Sequence, residues 1–164
     1  MDFIWSPWRY TYMASAGKAE QLPSCVFCIG EDRTQDAGRL VLHRGIHNFV
    51  ILNLFPYTSG HLMVMPYAHL GSIVYSSTEQ TAELMDLTKR AIKALTSVYH
   101  PEGFNLGMNL GHVAGAGVRD HFHLHVVPRW AGDSNFMTVT GETRVLPEEL
   151  ATTYIRLRKE FEEE

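Results

Sequence analysis

Cysteine is scarce: the chain of 164 residues has two, both inside the tetrapeptide Cys25–Cys28. So close a pair cannot build a secreted disulfide scaffold, and the expected setting is reducing and cytoplasmic. Positive charge is not in excess either. Fourteen Lys and Arg stand against 18 Asp and Glu, a net charge of −4, which argues against a nucleic-acid groove or an anionic-membrane patch. No apolar run approaches the length of a bilayer span. The opening MDFIWSPWRY lacks a basic segment followed by an apolar one, so no secretory leader is expected. Repeats and low-complexity tracts are missing, which excludes solenoids and long unstructured linkers. What remains is a globular chain long enough to bury roughly two thirds of its unfolded surface in one core.

Residues 1–38 read as an irregular arm punctuated by Pro7, Gly17, Pro23, Gly30 and Gly38. Strand patterns follow at Arg39–His43, Asn48–Leu54 and Gly60–Pro66. The period then changes. Leu84, Met85, Ala91, Ile92, Leu95 and Val98 recur at helical spacing within Thr78–Tyr99. Ser77 with Gln80 forms a capping-box pattern ahead of that helix, and Pro101 and Gly103 stop it. Phe104–Gly111 returns to strand alternation, and a shorter helix is expected over about 147–163. This order predicts an α+β fold: a mainly antiparallel sheet with one long helix and a C-terminal helix, in a single domain spanning 1–164.

Against these absences, histidine stands out. His121-Phe122-His123-Leu124-His125 alternates three imidazoles with two apolar residues. On a strand such residues share a face, each about 7 Å from the next, while Phe122, Leu124 and Val126 face the core. Three imidazoles could hold a metal together, or one could act as a nucleophile while its neighbours orient phosphate. The preceding GHVAGAG offers backbone N–H groups of the kind that form anion nests, and Asn53, Asn105 and Asn109 are neutral donors. These features favour phosphate chemistry and leave the metal reading open.

Cys25-Val26-Phe27-Cys28 has two standard readings. A redox pair needs a helix starting at the motif, and IGEDRTQDAG does not read as one. A zinc half-site needs two more ligands, and His43, His47, His69, His112 and the triad are all candidates by spacing. Of the others, His100 belongs to a helix C-terminus. His43 and His47 are expected exposed beside a hairpin turn, and a substrate contact is possible for His112. Trp5, Trp8 and Tyr10 are expected as packing anchors of the arm, and Met63, Met65 and Met85 as core.

The triad followed by Val126-Val127 resembles the signature of the histidine triad family. NLFPYTSGHLMVMPYAHL at Asn53–Leu70 and GFNLGMNLG at Gly103–Gly111 resemble that family's other blocks. IWSPWRYTYM and RWAGDSNFMTV resemble its bacterial diadenosine tetraphosphate phosphorylase or hydrolase branch. The resemblance implies cleavage of a purine nucleotide or dinucleoside polyphosphate at the α-phosphate through a nucleotidyl-histidine. His123 would attack and His125 contact the phosphate. Asn109 would lie near the α-phosphate and Asn53 near the ribose, with His61 behind the site. It further implies a structural zinc on Cys25, Cys28, His69 and His121, and a homodimer. Where many relatives carry Gln or Ser at the substrate, this chain has Gly117, so its leaving-group preference stays open. An adenosine phosphoramidate or nucleotide-conjugate hydrolase, and a nucleotide-binding module with weak catalysis, are the alternative readings; a zinc hydrolase using all three histidines is a further one.

Overall fold

In the computed structural model the described residues are 25–133 and 148–162. The packing of Trp5, Trp8 and Tyr10 therefore lies outside them. After the cysteine motif the chain makes a 3-10 turn at Arg33–Gln35 and a short helix α1 (Asp36–Arg39). A helical turn thus follows the cysteines in a stretch expected to be irregular. Arg44 holds it in place. Its guanidinium donates to both Asp36 carboxylate oxygens and to the Gly30 carbonyl, and the ion pair is nearly buried. Such bidentate geometry fixes direction as well as distance.

Strands β1 (Val41–Arg44), β2 (Asn48–Leu52), β3 (Leu62–Pro66), β4 (Gly103–Met108) and β5 (Leu124–Arg129) form one sheet. Their order is β1-β2-β3-β5-β4, with every neighbouring pair antiparallel. The first three make a meander. A 22-residue helix, α2 (Thr78–Tyr99), and the glycine-rich loop then separate β3 from β5. The capping box forms as expected: Ser77 Oγ accepts from Gln80 N, and Gln80 Oε1 accepts from Ser77 N. His100 terminates the helix in a left-handed conformation. A second helix, α3 (Leu150–Glu162), packs on α2 and β1.

Period-two alternation divides the sheet's residues between two apolar clusters. Val50, Leu52, Leu62, Val64, Leu124 and Val126 meet Leu84, Leu87, Ala91 and Leu95 of α2 and Leu157 and Phe161 of α3. Phe122 joins the same core, so the apolar side of the triad faces the helices as expected. On the opposite face Val41, Phe49, Ile51, Met63 and Met65 pack with Phe27, Ile29 and Tyr67. Both faces of β2 and β3 are thereby buried. Burying each large aliphatic side chain contributes about 1.5–3 kcal/mol.

Three expectations need correction. Met85 is 47% exposed, because it lies off the stripe that Leu84, Leu87 and Ala91 turn to the sheet. His43 and His47 are half-buried rather than exposed. His43 stacks on Phe161 of α3 and is approached by Arg90 of α2, so tertiary packing covers it. No helix among the described residues is long and apolar enough to cross a membrane.

One glycine is demanded where β3 begins. Gly60 has φ +78°, and an added Cβ would stand 2.8 Å from Leu95 Cδ2. Only glycine fits a left-handed turn pressed against the end of α2. That turn delivers His61 to the site.

Candidate active site and metal centre

His125 lies on β5 on the face opposite Leu124 and Val126, directly across from Met63 on β3 and Gly107 on β4. His121 and His123 precede the strand, which corrects the expectation of three histidines in one ladder. Their segment is anchored instead by Phe122 N, which donates to the Leu70 carbonyl at 2.7 Å. Released from the ladder, the first two rings point to different neighbours. His121 turns to the cysteines and His69, whereas the His123 and His125 ring centroids are 4.7 Å apart.

Cys25, Cys28, His69 and His121 place one ligand atom each within 4.8 Å of one another. Cys25 Sγ is 3.6 Å and Cys28 Sγ 3.8 Å from His121 Nδ1, and Cys28 Sγ is 3.4 Å from His69 Nδ1. Around a tetrahedral zinc, with Zn–S of about 2.3 Å and Zn–N of about 2.0 Å, the sulfur–nitrogen edge is about 3.5 Å. The quartet therefore has the span of a metal site. His121 is pre-oriented for it: fully buried Nε2 donates to the Pro66 carbonyl at 2.8 Å, which leaves Nδ1 as the lone pair facing the thiols. Burial, and then the adjoining Cys25 thiol, push the Cys28 thiol up, the reverse of a reactive redox cysteine.

Hydrogen bonds fix the proton positions of the other two imidazoles. His123 is 6% exposed, and its Nδ1 donates to the His121 carbonyl at 3.1 Å. A carbonyl can only accept, so the proton sits on Nδ1 and Nε2 carries the lone pair. The proton position of His125 is set through Tyr57 and His61. Tyr57 N donates to His61 Nδ1 at 3.1 Å, which makes that nitrogen an acceptor. Buried His61 must then carry its proton on Nε2, 3.0 Å from His125 Nδ1. His125 Nδ1 accepts, and the neutral ring's own proton stands on Nε2. Burial lowers the pKa of His123, and burial with the neighbouring His123 lowers that of His125 to about 4. Near neutrality the site thus offers an uncharged base at one imidazole and an N–H donor at the next.

The expected polar residues take varied places. Asn53 lies against His61, with Nδ2 3.4 Å from Nδ1, and its Oδ1 accepts from Phe55 N. Asn109 reaches into the glycine-rich loop, Nδ2 to the Gly115 carbonyl at 3.5 Å. Asn105 Oδ1 accepts from Arg129 Nη1 at 2.6 Å, which ties that side chain to the end of β5. The loop itself is partly self-satisfied. Gly115 N donates to His112 and Ala116 N to Gly111, so those two N–H groups are spent within the turn rather than forming an anion nest. Gly117 and His112 are exposed in that loop. Sequence reasoning missed Phe27, whose ring meets both His121 and His123 edge-on. It also missed the Tyr57 N–H and the Pro66 carbonyl, backbone groups that no residue pattern announces.

Comparison with known proteins bears on the chemistry. The HIT domain family model matches residues 36–132. An AP-4-A phosphorylase of Mycobacterium tuberculosis is 39% identical over 96% of this chain and 83% of its own length. An adenosine 5'-monophosphoramidase of Schizosaccharomyces pombe is 30% identical over 65% of this chain and 74% of its own. Among solved structures, a zinc-bound histidine triad family protein from Mycobacterium smegmatis superposes with a TM-score of 0.68 at 30% identity. That match covers 85% of this chain and 94% of the other.

Proposed function

The chain belongs to the histidine triad family, and from that membership we propose that it cleaves dinucleoside polyphosphates, diadenosine tetraphosphate first among them, at the α-phosphate. The observation that carries this reading is the proton assignment. A bare Nε2 on His123 lies beside a ring whose Nε2 bears hydrogen. Neutral imidazole is a competent nucleophile, and a neighbouring N–H stabilises negative charge as it grows on the phosphoryl oxygens. His123 Nε2 attacks the α-phosphorus, and the bond to the bridging oxygen breaks. ATP leaves with the bonding electrons, and an adenylyl group stays on nitrogen. Water, or an oxygen of inorganic phosphate, then attacks the same phosphorus and restores the imidazole. Water gives AMP and phosphate gives ADP. Asn109 binds near the α-phosphate, Asn53 near the ribose, and Gly117 lies where the leaving nucleotide departs. The 39% identity to an AP-4-A phosphorylase supports this substrate class and favours phosphate as acceptor. The similarity to a monophosphoramidase supports a second reading, hydrolysis of adenosine phosphoramidates by the same histidines.

Cys25, Cys28, His69 and His121 would hold zinc. Two thiolates and two imidazoles complete a tetrahedron, so the ion would supply a cross-link rather than an open Lewis-acid position. The ligands come from the arm, the segment after β3 and the approach to β5, which supports treating 1–164 as one domain. The outer edge of β4, with Leu106 46% exposed, supports a homodimer across that edge, which light scattering would test.

Product analysis on diadenosine tetraphosphate, with and without inorganic phosphate, tests the reading. ATP and ADP formed only with phosphate identify a phosphorylase; AMP and ATP without it identify a hydrolase. His123→Asn should abolish either and leave the fold intact. Full activity in that variant would remove His123 from the reaction.

A further inference from the structure

Phe27 sits inside the metal motif, between the two cysteines, and its N–H donates to Cys25 Sγ at 3.4 Å. Its ring lies 5.8 Å from the His121 ring and 5.0 Å from the His123 ring, edge-on to both. It is held from behind by the apolar cluster of Phe49, Met63 and Met65. A second connection runs through the backbone. The residue that offers Nδ1 to the metal quartet, His121, also offers the carbonyl that holds the His123 proton. Two independent contacts therefore join the quartet to the nucleophile: one ring and one peptide group.

We propose that Phe27 is a positioning residue, through which the clamped cysteine motif fixes the ring orientation of His123. Resting on the reading of His123 as nucleophile, this gives the metal site a role beyond holding the fold. An imidazole can present either nitrogen by rotating about its Cβ–Cγ bond. Only the observed rotation keeps Nδ1 on the His121 carbonyl and leaves Nε2 for attack. The Phe27 ring occupies space a rotating ring would sweep, and it stays there only while Cys25 and Cys28 are drawn together. Small errors in reactant placement are costly; a displacement of about 1 Å can reduce a rate about a hundredfold.

The test uses the full chain at neutral pH, metal-loaded, with metal content measured. Phe27→Ala and Phe27→Leu are compared with wild type by nitrogen-detected spectra of the His123 imidazole, which distinguish Nδ1–H from Nε2–H, and by kcat and KM on diadenosine tetraphosphate. Wild type should show a single Nδ1–H form. Phe27→Ala should keep its metal, show mixed forms, and lose about tenfold or more in kcat with little change in KM, and Phe27→Leu should fall between. If Phe27→Ala loses metal or unfolds, Phe27→Leu decides. If neither holds metal, chelated wild type does, and it should lose the single form. A single Nδ1–H form with native kcat in the metal-loaded variant, or an unchanged spectrum in the chelated protein, overturns the proposal. Should wild type cleave no dinucleotide at all, the functional reading fails while the spectra still judge Phe27.

Discussion

Replacing His61 by Phe removes a fully buried ring that accepts from Tyr57 N and donates to His125 Nδ1. Phenylalanine fills a similar volume, so the cavity term is small, but neither polar neighbour keeps this bond. A buried polar group that loses its partner costs about 1–3 kcal/mol, so two such groups cost about 2–6 kcal/mol. Relaxation toward water should bring the loss near the lower end. At about 2–4 °C per kcal/mol for a chain of this size, the unfolding midpoint should fall by about 4–12 °C. Catalysis should suffer separately. Without the His61 donor, His125 no longer keeps its own proton on Nε2, and the donor proposed to face the phosphate is lost. Losing one such donor typically costs about 10²–10³ in kcat. His61→Gln offers an amide oxygen to Tyr57 and an N–H to His125, so it should recover much of both losses. The assay is steady-state cleavage of diadenosine tetraphosphate alongside thermal unfolding. If the Phe variant keeps kcat within about threefold while its midpoint falls, His61 serves only the fold and the proton assignment is wrong. A Gln variant as inactive as Phe would refute the donor–acceptor logic.

Other outcomes follow from the same geometry. Glu83 accepts from the backbone N–H groups of Ile46, His47 and Asn48 and from Asn48 Nδ2, so Glu83→Ala should destabilise by about 2–3 kcal/mol in urea unfolding, with no change in KM. Burial alone would raise the Glu83 pKa, yet the bonds from Asn48 and the backbone hold it below the usual value; its contribution is present above the unfolded pKa and lost as pH falls through the folded one, and Glu83→Gln should flatten that acid slope. Burial depresses His125 to about 4, so its share of stability is full above the unfolded value and lost as pH falls toward about 4, which unfolding of wild type against His125→Asn across that window would resolve. Cys28→Ser should lower metal content and the unfolding midpoint together; unchanged metal content would remove Cys28 from the site. Gly60→Ala should cost more than an ordinary surface change, through left-handed strain and the Leu95 contact, and a neutral result by thermal unfolding would contradict the packing.

Local signals explain what the sequence disclosed. The long helix keeps its expected limits because apolar period, capping box and a terminating Pro-x-Gly all lie within it or beside it. The antiparallel class and the inward side of Phe122, Leu124 and Val126 were legible because alternation is also local. The division among the three histidines was not derivable from alternation, which assumes a strand running through all three. The ladder begins only at Leu124, because Phe122 pairs with Leu70 outside the sheet. The metal quartet was legible only through resemblance, since His69 and His121 lie far in sequence from the cysteines. His43 was misjudged because its burial is decided by how α2 and α3 dock, which no short window contains, whereas Met85 lies off the stripe that α2 turns to the sheet.

The strand order carries a consequence for the route by which the protein folds. β1, β2 and β3 pair through short turns, whereas β3 and β5 pair across about 60 residues, an interval that includes all of α2. Long closures are entropically late events, so the meander and helix should form the nucleus and β5 should dock afterwards. Truncating Val50 should then slow folding, while truncating Val126 should mainly speed unfolding, a contrast stopped-flow φ-values can measure. His61 leads into β3 and His125 lies on β5, so the pair meets only at that final closure. A nascent or partly folded chain would leave His125 without the His61 bond that sets its proton until the last strand is in place.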